Sequence, residues 1–446
     1  MAYQTYNKTK MRTQILVLGA GKSATVLIEY LQKKAVENNW YLIVADGDKQ
    51  LAEKKWNNAK NGHAVGFDIE NEKVRNSYIQ AADVVVSMLP AFLHFLVAKD
   101  CLRQLKPLFT ASYVDENMKS IEAELKDKNL LFLCEMGLDP GIDHMSAMEL
   151  IHRIQNKGGI ITSFKSHCGG LIAPESDDNP WHYKISWNPR NIILAGKAGA
   201  LFLEAGKEQH LNYVDLFHKA PTITVPEIGT LSYYPNRNSL SYIETYQLQG
   251  IQNFVRTTLR HPAFCTGWDA IIKLGLTSEE SILITPNETV HGWFKKHIVT
   301  NNLEPVYAQM LLDENLKEQL IYIGLEDTVH IPSHLNNNAA ILQWLLEAKW
   351  KLAEEDKDMV VMMHEIAYQL HDLTHSVKSY LVIKGQNAQE TAMAKTVGLP
   401  LAMGVCAYLK GEIKLTGLHI PTHPSIYTPI LKSLAEEGIQ FVETEL

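Results

Sequence analysis

The stretch TQILVLGAGKSATVLIEYL (residues 13–31) resembles a buried strand that passes through a glycine turn into a helix, and it contains the pattern G-x-G-x-x-A. Gly19 permits a tight turn, Gly21 lets a pyrophosphate approach the backbone, and Ala24 keeps the helix close to the strand. The first N–H groups of such a helix and its positive dipole end favour an anion. The stretch therefore predicts a dinucleotide site, provided that a parallel sheet surrounds it.

A second apolar run, residues 41–45, ends in Asp46, where a carboxylate can accept hydrogen bonds from the adenosine ribose. That carboxylate repels a 2′-phosphate, and no arginine follows at Gly47 or Asp48 to bind one. We therefore predict NAD as the cofactor. NADP stays the alternative, because Lys49 has the reach to fold back onto a phosphate.

Length and composition indicate an ordinary globular protein. The chain has 446 residues, 46% of them hydrophobic and 21% charged, so we expect two or three folded domains. A net charge of −8 without a basic, aromatic-rich block argues against nucleic acid and favours small-molecule partners. The polar first residues and the lack of about 18 uninterrupted apolar residues predict a cytoplasmic protein without a membrane span.

The cysteines and histidines give no metal or disulfide pattern. Five cysteines are scattered without C-x-x-C spacing, so we expect reduced thiols. His371 and His375 have the spacing of metal ligands, but we favour a solvated face as their explanation, and we predict no metal site.

The first 140 residues alternate between apolar strands and helices. Further strand candidates are residues 63–67 (followed by Asp68), 82–89, 108–112 and 130–134. This alternation predicts a doubly wound, Rossmann-type parallel sheet of about six strands. The loops at the carboxyl ends of the strands, among them 87–90 and 112–113, then line the cofactor crevice.

The rest of the chain predicts an α+β domain with a mixed sheet and a small helical subdomain. Residues 164–260, 359–368 and 376–383 have strand character, residues 303–320 and 338–354 have helical apolar spacing, and helices 390–409 and 424–437 precede a strand at 439–443. The predicted domains are 1–140 with 390–446 (dinucleotide binding), 141–275 with 356–389 (substrate binding and dimerisation), and 276–355 (helical).

Several separated strings then indicate a family. They are ASY (111–113), EMGLDPGIDHMSA (135–147), CGGLIAPE (168–175), DNPWHYKISW (178–187), YPNR (234–237), RTTLR (256–260) and AKTVGLP (394–400). Together with the glycine turn, they make nearly the whole chain resemble the saccharopine dehydrogenases of the glutamate-forming type.

The resemblance implies an oxidoreductase of lysine metabolism that oxidises saccharopine with NAD(P) and water to glutamate and α-aminoadipate semialdehyde, and it implies a homodimer. The catalytic candidates are Asp139, Tyr113 and Cys168. The cofactor candidates are Gly19, Gly21, Lys22, Ser23, Asp46, Asp68, Ser87, Leu89, Ser112, Leu138, Asp139, Pro140 and Ser186. The substrate candidates are Ser112, Tyr113, Asp139, Arg237, Thr258, Leu259 and Arg260.

The chemistry of these residue types fits such a substrate, which carries three carboxylates. Arg237 and Arg260 are the best carboxylate ligands, because guanidinium groups stay charged and bind carboxylates bidentately. Each arginine has the alternative role of a structural ion-pair partner. Asp139 has the alternative of holding a substrate ammonium group, and Cys168 that of a packed thiol.

The chain also departs from the family pattern at His167, Ile172, Thr257 and His261, where Tyr, Pro, Gly and Tyr are usual. We expect Thr257 to narrow the predicted carboxylate pocket. Two competing functions stay open, namely a related carboxynorspermidine-type amine dehydrogenase and a non-catalytic NAD-binding regulatory protein. The arginines in YPNR and TLR argue against the former, and the intact LDPGIDH, CGG and YPNR strings argue against the latter.

Overall fold

The computed structural model describes residues 12–445. Its first elements are β1 (Gln14–Leu18), α1 (Thr25–Glu37), β2 (Tyr41–Asp46), α2 (Lys49–Trp56), β3 (Gly62–Gly66), α3 (Glu72–Ala81), β4 (Val84–Ser87), α4 (Ala91–Gln104), β5 (Leu108–Thr110), α5 (Glu116–Ser120), α6 (Glu122–Asp127), β6 (Leu131–Leu133) and α7 (Ile142–Asn156). A 3₁₀ turn, Lys22–Ala24, precedes α1. Strand and helix alternate throughout this part, as predicted.

The middle of the chain is richer in strands. It contains β7 (Ile160–Ile172), α8 (Pro189–Ile193), β8 (Ala200–Glu204), β9 (Lys207–Leu211), β10 (Thr222–Val225), β11 (Gly229–Pro235), β12 (Arg237–Asn238), α9 (Ser241–Thr245), β13 (Asn253–Arg260), α10 (Pro262–Lys273), α11 (Val290–Thr300), α12 (Glu304–Met310), α13 (Glu314–Tyr322), α14 (Asn338–Lys349), β14 (Asp358–Leu370) and β15 (Leu373–Lys384). The chain ends with α15 (Ala392–Leu409), β16 (Gly417–His419), α16 (Pro424–Glu436) and β17 (Val442–Glu445).

The chain divides into two compact units. The first comprises the residues up to Ser146 and Ala394–Gly438, and the second comprises Ala147–Met393 and the residues from Ile439 onwards. The first unit holds a seven-stranded sheet in the order β16-β6-β5-β4-β1-β2-β3, and every pairing in it is parallel. This is the predicted Rossmann-type sheet. Its strand order reverses between β1 and β4, where the crevice outside the carboxyl ends of the strands is the usual ligand position.

One strand and two helices of the first unit, β16, α15 and α16, come from the C-terminal part of the chain. The three-residue strand β16 pairs with β6 and was not predicted, because so short a run gives no periodic pattern. Helix α15 is long and apolar enough, by length and composition, to cross a membrane, but 78% of it is buried inside the structure. A helix buried in a protein core can have the same length and hydropathy as a membrane-spanning helix.

The second unit holds a ten-stranded mixed sheet. Strands β7 and β14 pair antiparallel, as do β14 and β15, whereas β7 and β13 pair parallel with Thr257 opposite His167 and Thr258 opposite Cys168. The predicted mixed sheet is therefore present. Since side chains alternate between the faces of a strand, Thr257 and Thr258 lie on opposite faces of this sheet.

Two of the predicted boundaries differ from the structure. The helices of residues 276–355 share one hydrophobic core with Trp181, Phe264 and Trp268, so they are not a subdomain with a core of their own. Strand β17 pairs with β15 in the second unit and does not join the dinucleotide unit. A strand is placed by the partner whose backbone groups it satisfies, and local sequence does not specify that partner.

Candidate active site

The glycine turn of the first unit has the geometry of a phosphate cradle. Gly19 has φ +104°, and a Cβ there would lie 2.8 Å from the carbonyl oxygen of Met88 at the end of β4, so only glycine fits. A Cβ at Gly21 would meet no atom within 4 Å, and this leaves open space beside the backbone where the helix begins. Ala24 is fully buried. These residues fit a dinucleotide pyrophosphate.

Asp46 is held against this turn at the end of β2. Its carboxylate accepts a hydrogen bond from the Ala20 backbone N–H at 2.7 Å and another from the Asp48 N–H at 2.9 Å. Lys49, the cation that was considered as a phosphate ligand, lies 3.3 Å from the Glu53 carboxylate, and both side chains are exposed. The structure therefore places a carboxylate, with no arginine beside it in the sequence, where the ribose is expected.

The other predicted cofactor residues of this unit differ in their exposure to solvent. Lys22 and Asp68 are exposed, and Ser23 and Leu89 are half-buried. Ser87 is fully buried, and its hydroxyl lies 2.8 Å from His94 Nδ1. Its side chain is therefore engaged inside the protein, and the contact of Ser87 with the cofactor stays a prediction.

His94 joins the carboxyl ends of two strands and was not predicted from the sequence. It is 5% exposed, and its Nε2 lies 2.6 Å from the hydroxyl of Ser112, which is half-buried just after β5. Burial lowers the pKa of His94 to about 4, so the imidazole is neutral near pH 7. The sequence carried no local sign of this contact, because β4, α4 and β5 meet only in the folded chain.

The loop before α7 presents Asp139. Its backbone is closed by hydrogen bonds from Gly137 N to Pro140 O and from Ile142 N to Gly137 O, both 2.9 Å long. Leu138 and Pro140, which were predicted to contact the cofactor, are buried, whereas Asp139 is partly exposed. The structure brings two predicted catalytic residues together here, because the Tyr113 hydroxyl lies 3.3 Å from the Asp139 carboxylate.

A buried pair of side chains supports this loop. The Glu135 carboxylate accepts a hydrogen bond from the Val114 backbone N–H at 3.0 Å and lies 2.8 Å from His144 Nε2. Glu135 and His144 are almost completely buried. The pair fixes the segment after β5 to the start of α7, and these segments carry Tyr113 and Asp139. Both residues belong to the quoted EMGLDPGIDH string, but no role was predicted for them.

In the second unit, Arg256, Thr258 and Arg260 alternate along β13 and therefore share one face of the sheet. Arg260 is 5% exposed, and its guanidinium donates to the Leu259 carbonyl at 2.8 Å. It lies over the ring of Tyr183, with 5.4 Å from Cζ to the ring centroid. No carboxylate of residues 12–445 forms an ion pair with it. Arg260 is thus a buried cation without a counter-ion from the described part of the chain.

The neighbours of Arg260 on this face are polar or aromatic. Cys168 is opposite Thr258 in the register of β7 and β13 and is buried. Burial raises the pKa of Tyr234 to about 12, so its phenol stays protonated and neutral near pH 7. The predicted residues Cys168, Thr258 and Arg260 therefore belong to one cluster, to which the structure adds Tyr183 and Tyr234.

Two predictions for the second unit need correction, those for Leu259 and Thr257, and that for Ser186 stays a prediction. The side chain of Leu259 packs in the apolar cluster on the opposite face of the sheet, so only its backbone can take part in binding beside Arg260. Thr257 also faces away from the arginines, and its hydroxyl lies 2.7 Å from His167 Nδ1, so it does not narrow the pocket. The hydroxyl of Ser186 is bound to the Asp358 carboxylate, where it opposes the rise in the pKa of Asp358 that burial causes.

Arg237 does not stand beside Arg260. Arg260 pairs with Ser232 within β11, whereas Arg237 lies beyond the end of β11, in β12, where it pairs with Ala200 of β8. Arg237 is exposed and Arg260 is buried. The two arginines therefore occupy different positions in the sheet.

The described residues contain no group of three or more histidine, cysteine, aspartate or glutamate side chains that is arranged to hold a metal ion. All five cysteines are buried free thiols.

Two family models together match most of the chain. Residues 15–133 match the family model described as "Saccharopine dehydrogenase NADP binding domain", and residues 137–439 match "Saccharopine dehydrogenase C-terminal domain". The predicted resemblance is therefore confirmed. Most of the first group of polar residues lies in the former match, and the arginine cluster lies in the latter.

Among similar proteins, the mitochondrial alpha-aminoadipic semialdehyde synthase of Mus musculus is 32% identical over 96% of this chain and 47% of its own length. The Arabidopsis thaliana synthase is 30% identical over 97% of this chain and 45% of its own length. The chain thus spans about half the length of these relatives. The saccharopine dehydrogenase [NADP(+), L-glutamate-forming] of Saccharomyces cerevisiae is 29% identical over 97% and 99% of the two chains.

A solved structure gives the same result. The apo saccharopine dehydrogenase (L-Glu forming) from Saccharomyces cerevisiae superposes with a TM-score of 0.86 at 27% identity, and the match covers 97% of this chain and 100% of that one. The name of the yeast relative specifies NADP(+), which gives no support to the predicted preference for NAD. The chain belongs to the saccharopine dehydrogenase family.

Proposed function

We propose that the protein oxidises saccharopine, with NAD(P) and water, to L-glutamate and α-aminoadipate semialdehyde, and that the reaction is reversible. The observation that carries the proposal is Arg260, a buried guanidinium without an acidic partner among the described residues. A buried charge is stable only when it is paired or well hydrogen-bonded, and a substrate carboxylate supplies the missing partner. Arg237 is the proposed ligand of a second carboxylate of the substrate.

The substrate chemistry needs four changes that balance. The secondary amine loses its proton, the adjacent carbon loses a hydride to give an imine, and water adds to form a carbinolamine. The carbon–nitrogen bond then breaks to release the amine of glutamate and the semialdehyde. The bound nicotinamide supplies the hydride acceptor. The protein has to hold carboxylates and to move protons at the nitrogen and at the attacking water.

Asp139 and Tyr113 are the proposed proton-handling groups. Asp139 is the partly exposed carboxylate of an otherwise buried loop, and Tyr113 is within hydrogen-bond reach of it. Hydrogen bonding to the phenol keeps the carboxylate oriented in the free protein, and such catalytic contacts tighten when a substrate binds. Cys168 is a third candidate, located beside Thr258 on the face of the sheet that carries Arg260.

For the cofactor we propose a preference for NAD over NADP. The support is Asp46, whose carboxylate is fixed by two backbone N–H groups at the expected ribose position. A 2′-phosphate at that position meets an anion, and Lys49 is paired with Glu53. The relatives from Schizosaccharomyces pombe and Saccharomyces cerevisiae are named for NADP(+), so the assay below compares both nucleotides.

We also propose a homodimer formed through the sheet of the second unit. Its support is an apolar face on which Tyr233, Tyr380 and Val382 are only half-buried beside the buried cluster of Val361 and Met363. Light scattering at several protein concentrations tests this. A mass of one chain throughout contradicts it.

A spectrophotometric assay with saccharopine tests the activity, with NAD and NADP compared at matched concentrations. We expect reduction of the cofactor with formation of glutamate, and a higher kcat/KM with NAD. A protein that binds reduced cofactor but gives no turnover of saccharopine with either nucleotide contradicts the proposed activity, whereas turnover that favours NADP contradicts only the cofactor preference.

A further inference from the structure

The side chains around His94 form a directed set of hydrogen bonds. His94 lies in the first turn of α4, and its Nδ1 is 2.8 Å from the Ser87 hydroxyl and 3.5 Å from the Thr110 hydroxyl. Its Nε2 is 2.6 Å from the Ser112 hydroxyl. Ser87 and Thr110 are almost completely buried, and Ser112 is partly exposed. Three strand-end hydroxyls therefore meet at one buried ring.

A neutral imidazole has one nitrogen that donates a hydrogen bond and one that accepts. His94 therefore donates on one side of its ring and accepts on the other. Thr110 Oγ1 accepts a hydrogen bond from the Ser112 backbone N–H at 3.2 Å, and its own proton is left to donate. The Ser87 hydroxyl is fully buried and also needs an acceptor for its proton. Both hydroxyls are on the Nδ1 side. We therefore assign the lone pair to Nδ1 and the proton to Nε2.

This tautomer determines what Ser112 can do. With Nε2–H donating to Ser112 Oγ, the hydroxyl proton of Ser112 points away from the ring. Ser112 follows β5 at the carboxyl edge of the parallel sheet, on the side where ligands of such sheets bind. The Ser112 hydroxyl is thus oriented to donate its proton to a ligand.

We propose that His94 is a positioning residue that makes the Ser112 hydroxyl a hydrogen-bond donor to an acceptor oxygen of the bound ligand. Such an oxygen belongs either to the cofactor carboxamide or to a substrate carboxylate. The inference rests on the proposed function for the identity of the ligand, but the geometry of the His94 contacts does not depend on it. Ser87 and Thr110 act by fixing the ring.

The test is a double-mutant cycle of His94→Leu and Ser112→Ala, with His94→Gln as the conservative variant. We measure the dissociation constants of NADH and NADPH by fluorescence, and kcat and KM for saccharopine. Each single substitution is expected to weaken one of these steps about tenfold, the value of one lost hydrogen bond to a polar ligand group. The double variant is expected to lose no more than Ser112→Ala alone, because His94 acts through Ser112.

The constant that changes shows whether Ser112 donates to the cofactor carboxamide or to a substrate carboxylate. A raised dissociation constant for the reduced cofactor indicates the carboxamide, and a raised KM for saccharopine with unchanged cofactor binding indicates the substrate carboxylate. His94→Gln, whose amide N–H can reach Ser112, is expected to recover part of the loss. His63→Gln is the matched control, since His63 Nδ1 is 3.1 Å from the Tyr41 hydroxyl in the same unit.

Additive losses, an unchanged Ser112→Ala variant, or effects confined to the melting temperature overturn the inference, because each shows that His94 only packs. If the wild-type protein does not turn over saccharopine, the proposed function fails on its own. The double-mutant cycle is then judged by the dissociation constants of the reduced cofactors. If the effects of His94→Leu and Ser112→Ala on these constants are coupled, the role of His94 is supported. If neither substitution changes them, the inference is overturned.

Discussion

The two units arrange their polar groups in different ways. In the first unit, the candidate residues stand at strand ends and bind one another, as Ser112 binds His94 and Tyr113 binds Asp139. In the second unit, Arg260 stands on the face of a strand, held by a backbone carbonyl and aromatic rings. The first arrangement preorganises hydrogen bonds before a ligand arrives, whereas the second leaves a buried charge for the ligand to neutralise.

The largest expected effect tests the second arrangement. Arg260→Met removes the buried cation, and we expect kcat/KM for saccharopine to fall on the order of 1000-fold, because leaving a buried charge without its partner costs about 4 kcal/mol. Steady-state kinetics and titration with reduced cofactor measure it. Cofactor binding should not change.

Arg260→Lys is the matched control for charge. It keeps the positive charge but loses the planar guanidinium group that binds a carboxylate bidentately, so it should recover only part of the activity. An Arg260→Met variant that loses cofactor binding as much as saccharopine turnover breaks the comparison, since it would show that Arg260 supports the fold as a whole.

Asp139→Ala tests the first arrangement. If Asp139 transfers a proton, kcat/KM should fall at least about 100-fold, at the lower end of the range for general acid–base groups, and the loss should appear in kcat. The Tyr113→Phe variant keeps the ring and removes the hydroxyl that contacts Asp139, and a smaller loss is expected. A loss confined to KM makes Asp139 a binding residue. The first unit would then resemble the second in using its charged side chain to bind the ligand.

A smaller effect is expected at the cofactor. Asp46→Ser removes the carboxylate at the ribose position but keeps an oxygen, and the ratio of kcat/KM for NAD over NADP should fall about tenfold as repulsion of the 2′-phosphate is removed. Parallel assays with both nucleotides measure it. An unchanged ratio shows that Asp46 serves only its contacts with the Ala20 and Asp48 backbone.

Sequence patterns predicted the two units unequally. The glycine turn and the strand–helix alternation are local, so the parallel sheet and the place of Asp46 followed from them. In the second unit, period-two alternation in RTTLR could have placed Thr257 and Leu259 opposite the arginines, but family resemblance alone grouped Leu259 with Arg260. The contacts of His94 join segments that are distant along the chain, and no local pattern reports them.

The smallest expected effect concerns the opposite face of the second sheet, where His167 lies between Thr257 and Glu365. Hydrogen bonds from His167 and Lys378 lower the pKa of Glu365 to about 2. A carboxylate with a depressed folded pKa stabilises the fold above its unfolded pKa of about 4.5, and this stability is lost as the pH falls towards the folded pKa.

Glu365→Gln should therefore lower the melting temperature at pH 7 by a few degrees. This corresponds to a loss of about 1–2 kcal/mol in the free energy of unfolding, a figure reduced because solvent screens the partly exposed carboxylate. The difference from wild type should shrink as the pH falls from about 5 towards 3, because protonation removes the same charge from the wild-type protein. Thermal scans across this range measure it. Glu347→Gln, at an exposed position of α14, is the control and should show no such trend. Saccharopine kinetics should be the same for Glu365→Gln and wild type, since this face of the sheet is not the one that carries Arg260; altered kinetics would mean that both faces serve the site.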